Sequence, residues 1–349
     1  MLKKTIGIIL ATVLMISAAA CSPSQQSAPP ASDSSADTAP QQPPSSAAPQ
    51  RIALGTASVG GVYYVYGAGL AQLLTKHVEG LEVSAEVTGG AAVNVGLVDA
   101  GEVQLGLATD STAVDAYNGV GWANGEKYEN VRAIAPMYPT FLEIYAIKGN
   151  GITSIYDFND KVYCAGTAGS SGDVISEVIM STLGIKPKQK QHMSWTDAIG
   201  NMKDGLIDAG LDLAGSPHNA RKELETTHDI EWIVLSEEDR DKLKKVGPYF
   251  NDGFIKAGVY KDLKEDYPTL MVYNDIIANK DLDADTVYNI LKAVFENNAE
   301  LVTSHATAKD TLAENIVNVS MPLHVGAIRY YEELGIKLSD HHYPPEYKK

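Results

Sequence analysis

Two short patterns occur twice along this chain, in the same order. GTASVGG spans 55–61 and GTAGSSG spans 166–172, and each precedes a stretch that reads as a helix. The segments 95–107 and 199–211 share three glycines and a final leucine in one register. Short glycine-rich segments match easily, but two matches in the same order indicate a duplicated structural unit. The sequence therefore predicts two lobes of similar construction, the second inserted into the first.

Short strands and helices alternate around both copies. RIAL, LEVSAEV and VQLGLAT read as strands in the first copy, and LEVSAEV alternates apolar with polar residues as a half-buried strand does. In the second copy KVYCA, 189–193 and 206–213 read as strands, with helices over 173–183 and 197–204. This order is typical of an α/β fold with mostly parallel strands.

The N-terminus has the features of a secretory signal. Lys3 and Lys4 precede the apolar run TIGIILATVLMI, which is too short for a stable membrane span, and AAAC follows. Small residues directly before a cysteine resemble the site cut by lipoprotein signal peptidase. We predict a lipoprotein signal peptide over 1–20 and lipidation of Cys21. The alternative is plain secretion with Cys21 left as a thiol.

The segment after Cys21 is polar and rich in Pro, Ser and Ala. Residues 22–50 contain no Val, Ile, Leu or aromatic side chain, so we predict a disordered tether. The predicted domains are therefore a lipidated cysteine and linker over 21–50, a first lobe over 51–146 and 265–349, and a second lobe over 147–264. Cys164 is the only cysteine of the predicted lobes, which excludes an intramolecular disulfide within them.

The charge of the chain argues against one class of partner. The formal net charge is −16 at pH 7, and no basic stripe offers a footprint for DNA or RNA. We expect no nucleic-acid partner. The same field weakly opposes anionic ligands, so an anion site has to be built locally from backbone amides or a few cations.

The loops that follow the strands form the predicted ligand site, because ligands of open α/β sheets bind beyond the carboxyl ends of the strands. Each heptad supplies glycines, hydroxyl side chains and a positively polarised helix N-terminus, which suits a carboxylate or another small anion. The alternative is ordinary turns with Ser and Thr caps. Of Tyr63 and Tyr64 we expect one in the cleft and one in the core, while Trp195 fits either place. The predicted ligand-binding residues are Ser58, Gly60, Gly61, Tyr63, Thr88, Gly89, Gly90, Asp110, Ser111, Thr167, Gly169, Ser170, Ser171, Gly172 and Ser216.

Five motifs, taken in order, resemble one family. GTASVGGVYYVYGAGLAQLL, VTGGAAVN, GEVQLGLATDSTAVDAYNG, AGTAGSSGD and LHVGAIRYYEELG are similar to successive motifs of the TAXI proteins, the extracytoplasmic receptors of tripartite ATP-independent periplasmic (TRAP) transporters. The resemblance spans 51–336. It implies a bilobed type II periplasmic-binding-protein fold, two α/β domains joined by hinge strands, that closes on a solute and delivers it to membrane subunits. Ligands of that family include organic acids and amino acids, notably glutamate and 2-oxoglutarate.

The resemblance also bears on single residues. The match of TGGAAVN to the family motif adds Asn94 to the predicted ligand-binding residues. Family members often have Gln-Ser-Asp where this chain has Thr109-Asp110-Ser111, and Ala57-Ser58 stands in the usually glycine-rich opening loop. These departures leave the exact ligand open.

The sequence lacks familiar catalytic and cofactor motifs. Neither heptad contains G-x-S-x-G, the glycines over 60–69 do not form G-x-G-x-x-G, and His341-His342 has no metal ligands at suitable spacing. His218 and His324 are interpreted as capping or surface residues. We therefore predict a monomeric, lipid-anchored receptor without catalytic residues, cofactor or metal. An extracytoplasmic enzyme of the same fold, which a cleft cluster of His, Asp and Ser would favour, stays open, as does a sensory receptor.

Overall fold

A computed structural model describes residues 49–247 and 249–348 of the chain. The predicted signal peptide, Cys21 and the linker up to residue 48 lie outside the described residues. In the described part, strands and helices alternate as predicted. In chain order they are β1 (Gln50–Gly55), α1 (Val62–His77), β2 (Leu81–Glu86), α2 (Ala91–Asp99), β3 (Leu105–Thr109), α3 (Asp110–Asn118), β4 (Val131–Ile147), β5 (Val162–Cys164), α4 (Ser171–Leu183), β6 (Gln189–Gln191), α5 (Trp195–Lys203), β7 (Ala209–Ala214), α6 (Asn219–Leu224), β8 (Ile230–Trp232), α7 (Glu237–Val246), β9 (Asn251–Ile255), β10 (Tyr267–Asn279), α8 (Ala284–Glu296), α9 (Asn298–Ser304) and α10 (Val325–Glu333).

The repeated segments 95–107 and 199–211 have the same structure. Each contains the end of a helix, α2 or α5, then a tight turn and the start of a strand, β3 or β7. Gly101 and Gly205, the middle glycines that the segments share, have φ of 74° and 71°. Residues with a side chain are disfavoured in this left-handed conformation, so glycine follows the helix end at both places. The sequence match therefore marks a duplicated helix–turn–strand unit.

The strands form one sheet in the order β2-β1-β3-β10-β4-β7-β5-β6, with β8 paired to β4 and β9 to β10. β1 is parallel to β2 and β3, and β3 meets β10 antiparallel. In the other half β5 is parallel to β6 and β7, and β7 meets β4 antiparallel. The two halves thus repeat one strand order. We call the half around β1 the first lobe and the half around β5 the second lobe.

Each lobe has its own hydrophobic core, and β4 and β10 pass through both. Along β4 the buried side chains belong to the first-lobe core up to Tyr138 and to the second-lobe core from Leu142. Along β10 the change falls between Val272 and Ile276. β4 and β10 also pair with each other through this region. Two adjacent strands therefore join the lobes, in the bilobed α/β arrangement that the sequence predicts.

Candidate ligand-binding site

Both heptads lie where a strand of the sheet gives way to a helix. The first heptad follows β1 and leads into α1 at Val62. The second follows β5 and includes Ser171, the first residue of α4. β1 and β5 each have a parallel strand on both sides. The heptads therefore occupy equivalent positions at the carboxyl ends of equivalent strands.

A small cavity lies between the two lobes. Its volume is about 50 Å³, which is room for a few water-sized groups at roughly 10–15 Å³ each. The first heptad and the starts of α1 and α2 form one side, while the second heptad, α5 and the end of β7 form the other. The lining residues are Ala57, Ser58, Gly61, Val62, Tyr63, Gly90, Ala91, Thr140, Thr167, Ser170, Ser171, Trp195, Asp212, Leu213, Ala214, Gly215 and His218.

The structure brings only part of the predicted site to this cavity. Tyr63 lines it and donates its hydroxyl to Asn274. Tyr64 is exposed, so the expectation that the second tyrosine faces the core is wrong. Trp195 is both buried and at the cavity wall. Predicted residues that line the cavity are Ser58, Gly61, Tyr63, Gly90, Thr167, Ser170 and Ser171; those that lie elsewhere are Gly60, Thr88, Gly89, Asn94, Asp110, Ser111, Gly169, Gly172 and Ser216.

Thr88 and Asn94 support the backbone around the first heptad through hydrogen bonds. Asn94 is fully buried, and its Nδ2 donates to the carbonyl oxygens of Thr56 and Leu107, each at 2.7 Å. Thr88 Oγ1 donates to Asn94 Oδ1 at 2.6 Å. Both side chains therefore fix the position of the heptad rather than face the cavity.

Asp110 and Ser111 begin α3, away from the cavity. Asp110 Oδ1 accepts the backbone N–H of Ser320 at 2.7 Å, and Ser111 Oγ donates to Thr109 Oγ1 at 3.3 Å. Burial raises the pKa of Asp110. Burial, then the charge of Asp110 and a side-chain hydrogen bond to it, also raises the pKa of Asp275 well above its usual value. These carboxyl groups belong to the packing of α3 on β10.

Gly60 and Gly172 lie at positions where a side chain does not fit. A Cβ on Gly172 would lie 2.6 Å from the carbonyl oxygen of Ala165 and 2.7 Å from Asp212 Oδ1. Gly60 has φ of 89°, and its Cβ would lie 2.8 Å from Thr196 Oγ1. Both glycines therefore shape the backbone of the heptads.

The lobes touch directly beside the cavity. Thr167 Oγ1 of the second lobe donates to the carbonyl oxygen of Gly89 in the first at 2.7 Å. The backbone N–H of Ala92 donates back to the carbonyl oxygen of Gly169 at 2.9 Å. The described structure is therefore closed around the cavity.

The sequence analysis missed a buried ionic cluster in the second lobe. Arg221 is fully buried, with Nε 2.8 Å from Glu143 Oε2 and Nη2 3.0 Å from Asp212 Oδ2. Its guanidinium carbon lies 4.7 Å from the ring centre of Tyr145 and 4.5 Å from that of Trp195. Burial raises the pKa of Glu143 to about 7, although the Arg221 charge opposes the shift. Asp212 lines the cavity and Arg221 does not. The guanidinium charge is therefore paired with two carboxyl groups and is not offered to a ligand in the cavity.

His218 also lines the cavity, which the sequence analysis did not predict. It caps α6, because its Nδ1 accepts the backbone N–H of Ala220 at 3.1 Å, and His324 caps α10 in the same way. A ring nitrogen that accepts carries no proton, so the neutral ring holds its proton on Nε2. Burial, then the Arg221 charge, lowers the pKa of His218 well below its usual value. Nε2 has no hydrogen-bond partner among the described residues, and Asp212 Oδ2 is 3.7 Å away.

The helices that begin at the cavity differ in how their first N–H groups are satisfied. α1 and α2 have Gly61 and Gly90 as N-caps, with no side-chain cap and no acidic residue in the first turn. α4 has Ser170 as its N-cap, whose hydroxyl accepts the N–H of Asp173, and Asp173 adds a carboxylate to the first turn. Uncapped helix N-termini offer N–H groups and partial positive charge. The first lobe therefore presents two helix ends without side-chain caps to the cavity, and the second lobe a capped one. At α2 the backbone N–H of Ala92 is already used, because it donates to the carbonyl oxygen of Gly169.

Residues 54–335 match the NMT1-like family. The chain belongs to this family. This NMT1-like protein also resembles several solved proteins, among them the periplasmic binding protein BugD. BugD aligns with a TM-score of 0.53 at 12% identity, covering 83% of this chain and 99% of BugD. MatC from Rhodopseudomonas palustris, solved with bound malate, has a TM-score of 0.53 at 13% identity, covering 82% and 97%.

A third solved protein extends the comparison. PhnD1 from Prochlorococcus marinus (MIT 9301), in complex with methylphosphonate, has a TM-score of 0.52 at 12% identity, covering 82% of this chain and 98% of PhnD1. At these identities the likeness shows a shared fold. Between residues 49 and 348 of the NMT1-like chain, Pro248 aside, no cluster of three or more His, Cys, Asp or Glu is arranged to hold a metal ion. None of the described helices is both long and apolar enough for a membrane span.

Proposed function

We propose that this chain is an extracytoplasmic solute-binding receptor that captures a small organic anion or amino acid by closing its lobes. The observation that carries the proposal is the pair of uncapped helix N-termini, α1 and α2, at a cavity between the lobes. An anionic group placed there would accept hydrogen bonds from first-turn N–H groups that no side chain uses, other than that of Ala92, which donates to Gly169. Among the described residues that line the cavity there is no Lys or Arg, so backbone dipoles supply the attraction.

The energetics require both lobes. A charge at one helix N-terminus is stabilised by ~0.3–1 kcal/mol, and by about 2 kcal/mol in partly buried sites. Micromolar affinity corresponds to about 8 kcal/mol. Two helix ends therefore fall short, and the rest has to come from the second lobe, from released water and from the closed state itself. Contacts such as that of Thr167 with Gly89 join the lobes in the closed state. A ligand that binds the closed state more tightly than the open state shifts the population towards the closed state.

We also propose that the receptor serves TRAP membrane subunits and is held to the membrane through Cys21. The TAXI-like motifs over 51–336 and the signal-like N-terminus support this. Malate and methylphosphonate, bound by two proteins of the same fold, are small anions, which supports the ligand class. The domain limits 51–146 with 265–349 and 147–264 remain part of the proposal, although β4 from Leu142 and β10 up to Val272 pack in the second-lobe core.

An enzyme of the same fold is the competing function, because His218, Asp212 and Ser171 meet at the cavity. The geometry favours binding. Nδ1 of His218 is used as a helix cap and Nε2 carries the proton, so the ring has no free lone pair to deprotonate a serine. Ser170 is also engaged, since its hydroxyl donates to the carbonyl oxygen of Ala165 at 3.0 Å.

Native mass spectrometry of the purified protein tests the proposal. We expect one small anion per chain, released on unfolding. Calorimetric rebinding of that anion should be accompanied by compaction in small-angle scattering. A chain that purifies without an anion, binds none from a carboxylate panel and keeps one scattering profile throughout would contradict the receptor function.

A further inference from the structure

We propose that the ligand is a small monocarboxylate with a hydroxyl group beside the carboxylate, a 2-hydroxy acid. The inference rests on the proposed receptor function and names the substrate class of the same cavity. It follows from the placement of charge and of unused hydrogen-bonding groups on the two sides of the cavity.

The first lobe fixes the carboxylate. Val62 and Ala91, the first residues of α1 and α2, both line the cavity, and neither helix has a side-chain cap or an acid in its first turn. Ser58 of the first heptad also lines this side. These groups donate hydrogen bonds and carry no full charge, so they suit one anionic group rather than two.

The second lobe opposes a second anionic group. Asp212 lines the cavity and is 4% exposed. The nearby guanidinium of Arg221 is shared between Asp212 and Glu143 and does not reach the cavity lining. Burial raises the pKa of Asp212, and the charge of Arg221, 3.0 Å away, opposes that shift and favours the carboxylate form. A ligand with a carboxylate at both ends would place one of them against Asp212, where like charges repel in a poorly hydrated site.

His218 and Asp212 together select the group next to the carboxylate. Nε2–H of His218 is a buried donor without a partner among the described residues, and Asp212 Oδ2 is an acceptor 3.7 Å from it. One oxygen atom can lie at about 2.7–3.0 Å from both, within ordinary hydrogen-bond distance. A hydroxyl accepts from His218 and donates to Asp212. An ammonium group cannot accept, and a keto oxygen cannot donate.

Calorimetry with four small acids tests this assignment on protein that has been unfolded to release any bound ligand and then refolded. The probes are lactate as both enantiomers, alanine, pyruvate and malate. We expect one lactate enantiomer to bind at least about tenfold more tightly than alanine, pyruvate or malate, since each of these loses a hydrogen bond or adds a charge.

A substitution assigns the effect to His218. In His218→Asn the Asn side chain still caps α6, because Asn is a favoured N-cap, but the Nε2–H donor is gone. We expect lactate affinity to fall about tenfold and alanine affinity to change little. His305→Asn is the matched control, since His305 is also buried and accepts the Thr307 N–H at 3.3 Å, outside the cavity lining. Thermal melting checks that both variants fold; if His218→Asn does not, the four-probe comparison on the parent decides.

Different failures have different meanings. Alanine or malate binding as tightly as lactate, or a co-purified anion without a hydroxyl group, would overturn the 2-hydroxy acid and leave the receptor function standing. Parental lactate affinity in a folded His218→Asn variant would remove His218 from the assignment. If none of the probes binds and no anion co-purifies, the receptor function fails as well.

Discussion

The two heptads have nearly the same letters and the same place in the fold, yet their helix ends differ. The helix after GTASVGG has a glycine N-cap with no side-chain hydrogen bond, whereas the helix after GTAGSSG is capped by Ser170 and has Asp173 in its first turn. The next pair repeats this contrast, since Gly90 leaves α2 uncapped while Ser194 caps α5. The duplicated loops keep the same place in the fold. The residue at each N-cap decides whether the helix N-terminus is capped by a side chain. Under the proposed function, the first lobe would attract the anion and the second would close over it.

Closing the open helix end of the first lobe should have the largest effect. In Gly61→Asp the new carboxylate both caps α1 and places a negative charge where the anion would lie. A Cβ there would meet Ser58 O at 3.2 Å, so small adjustments accommodate it. We expect affinity for the co-purified anion to fall at least about a hundredfold, with thermal stability unchanged or slightly raised. Near-parental affinity by calorimetry would place the anion elsewhere.

Removing the cap of the second lobe should affect folding instead of binding. Ser170→Ala deletes the hydroxyl that accepts the Asp173 N–H at 3.1 Å. Loss of a serine N-cap costs about 1 kcal/mol. We expect urea unfolding to show this decrease in the free energy of unfolding, while anion affinity changes by less than about threefold. The comparison breaks if this variant loses affinity as severely as Gly61→Asp and keeps its stability.

The smallest expected effect concerns closure. Thr167→Val removes the hydroxyl that donates to Gly89 across the lobes but keeps the side-chain shape. One hydrogen bond contributes about 1 kcal/mol, so affinity should fall about fivefold while the open form gains population. Thr196→Val is a matched control, because its contact with the Val59 carbonyl oxygen is exposed and long at 3.5 Å. Equal effects of the two variants in calorimetry and scattering would show that Thr167 has no special role in closure.

Local sequence patterns predicted the helices and strands, and the repeated segments predicted the two lobes. The strand expected at RIAL lies within β1, and the helix expected over 173–183 is α4, which begins at Ser171. Caps, turn glycines and periodicity are encoded within a few neighbouring residues, so a single sequence is enough to read them. The repeated segments then predicted the same order of strands and helices in the second lobe as in the first.

The chemistry of the second lobe needed the three-dimensional structure. Glu143, Asp212 and Arg221 come from β4, β7 and α6 and meet only when the sheet forms. One signal was available: Asp212 interrupts AGLDLA, a strand that is otherwise buried and apolar, and a buried carboxylate requires a partner. Sequence reasoning also took Asn94 for a ligand contact, because a supporting amide and a contacting amide look alike in a motif.

The paired strands β4 and β10 have a mechanical consequence. Their ladder shifts register between Tyr273 and Asp275 and again between Ile276 and Ile277, next to the point where the core changes from one lobe to the other. Such interruptions bend a strand pair locally and increase its twist. We therefore expect the connection between the lobes to bend at these register shifts. Bending there would let the two sides of the cavity separate and return, as the proposed function requires.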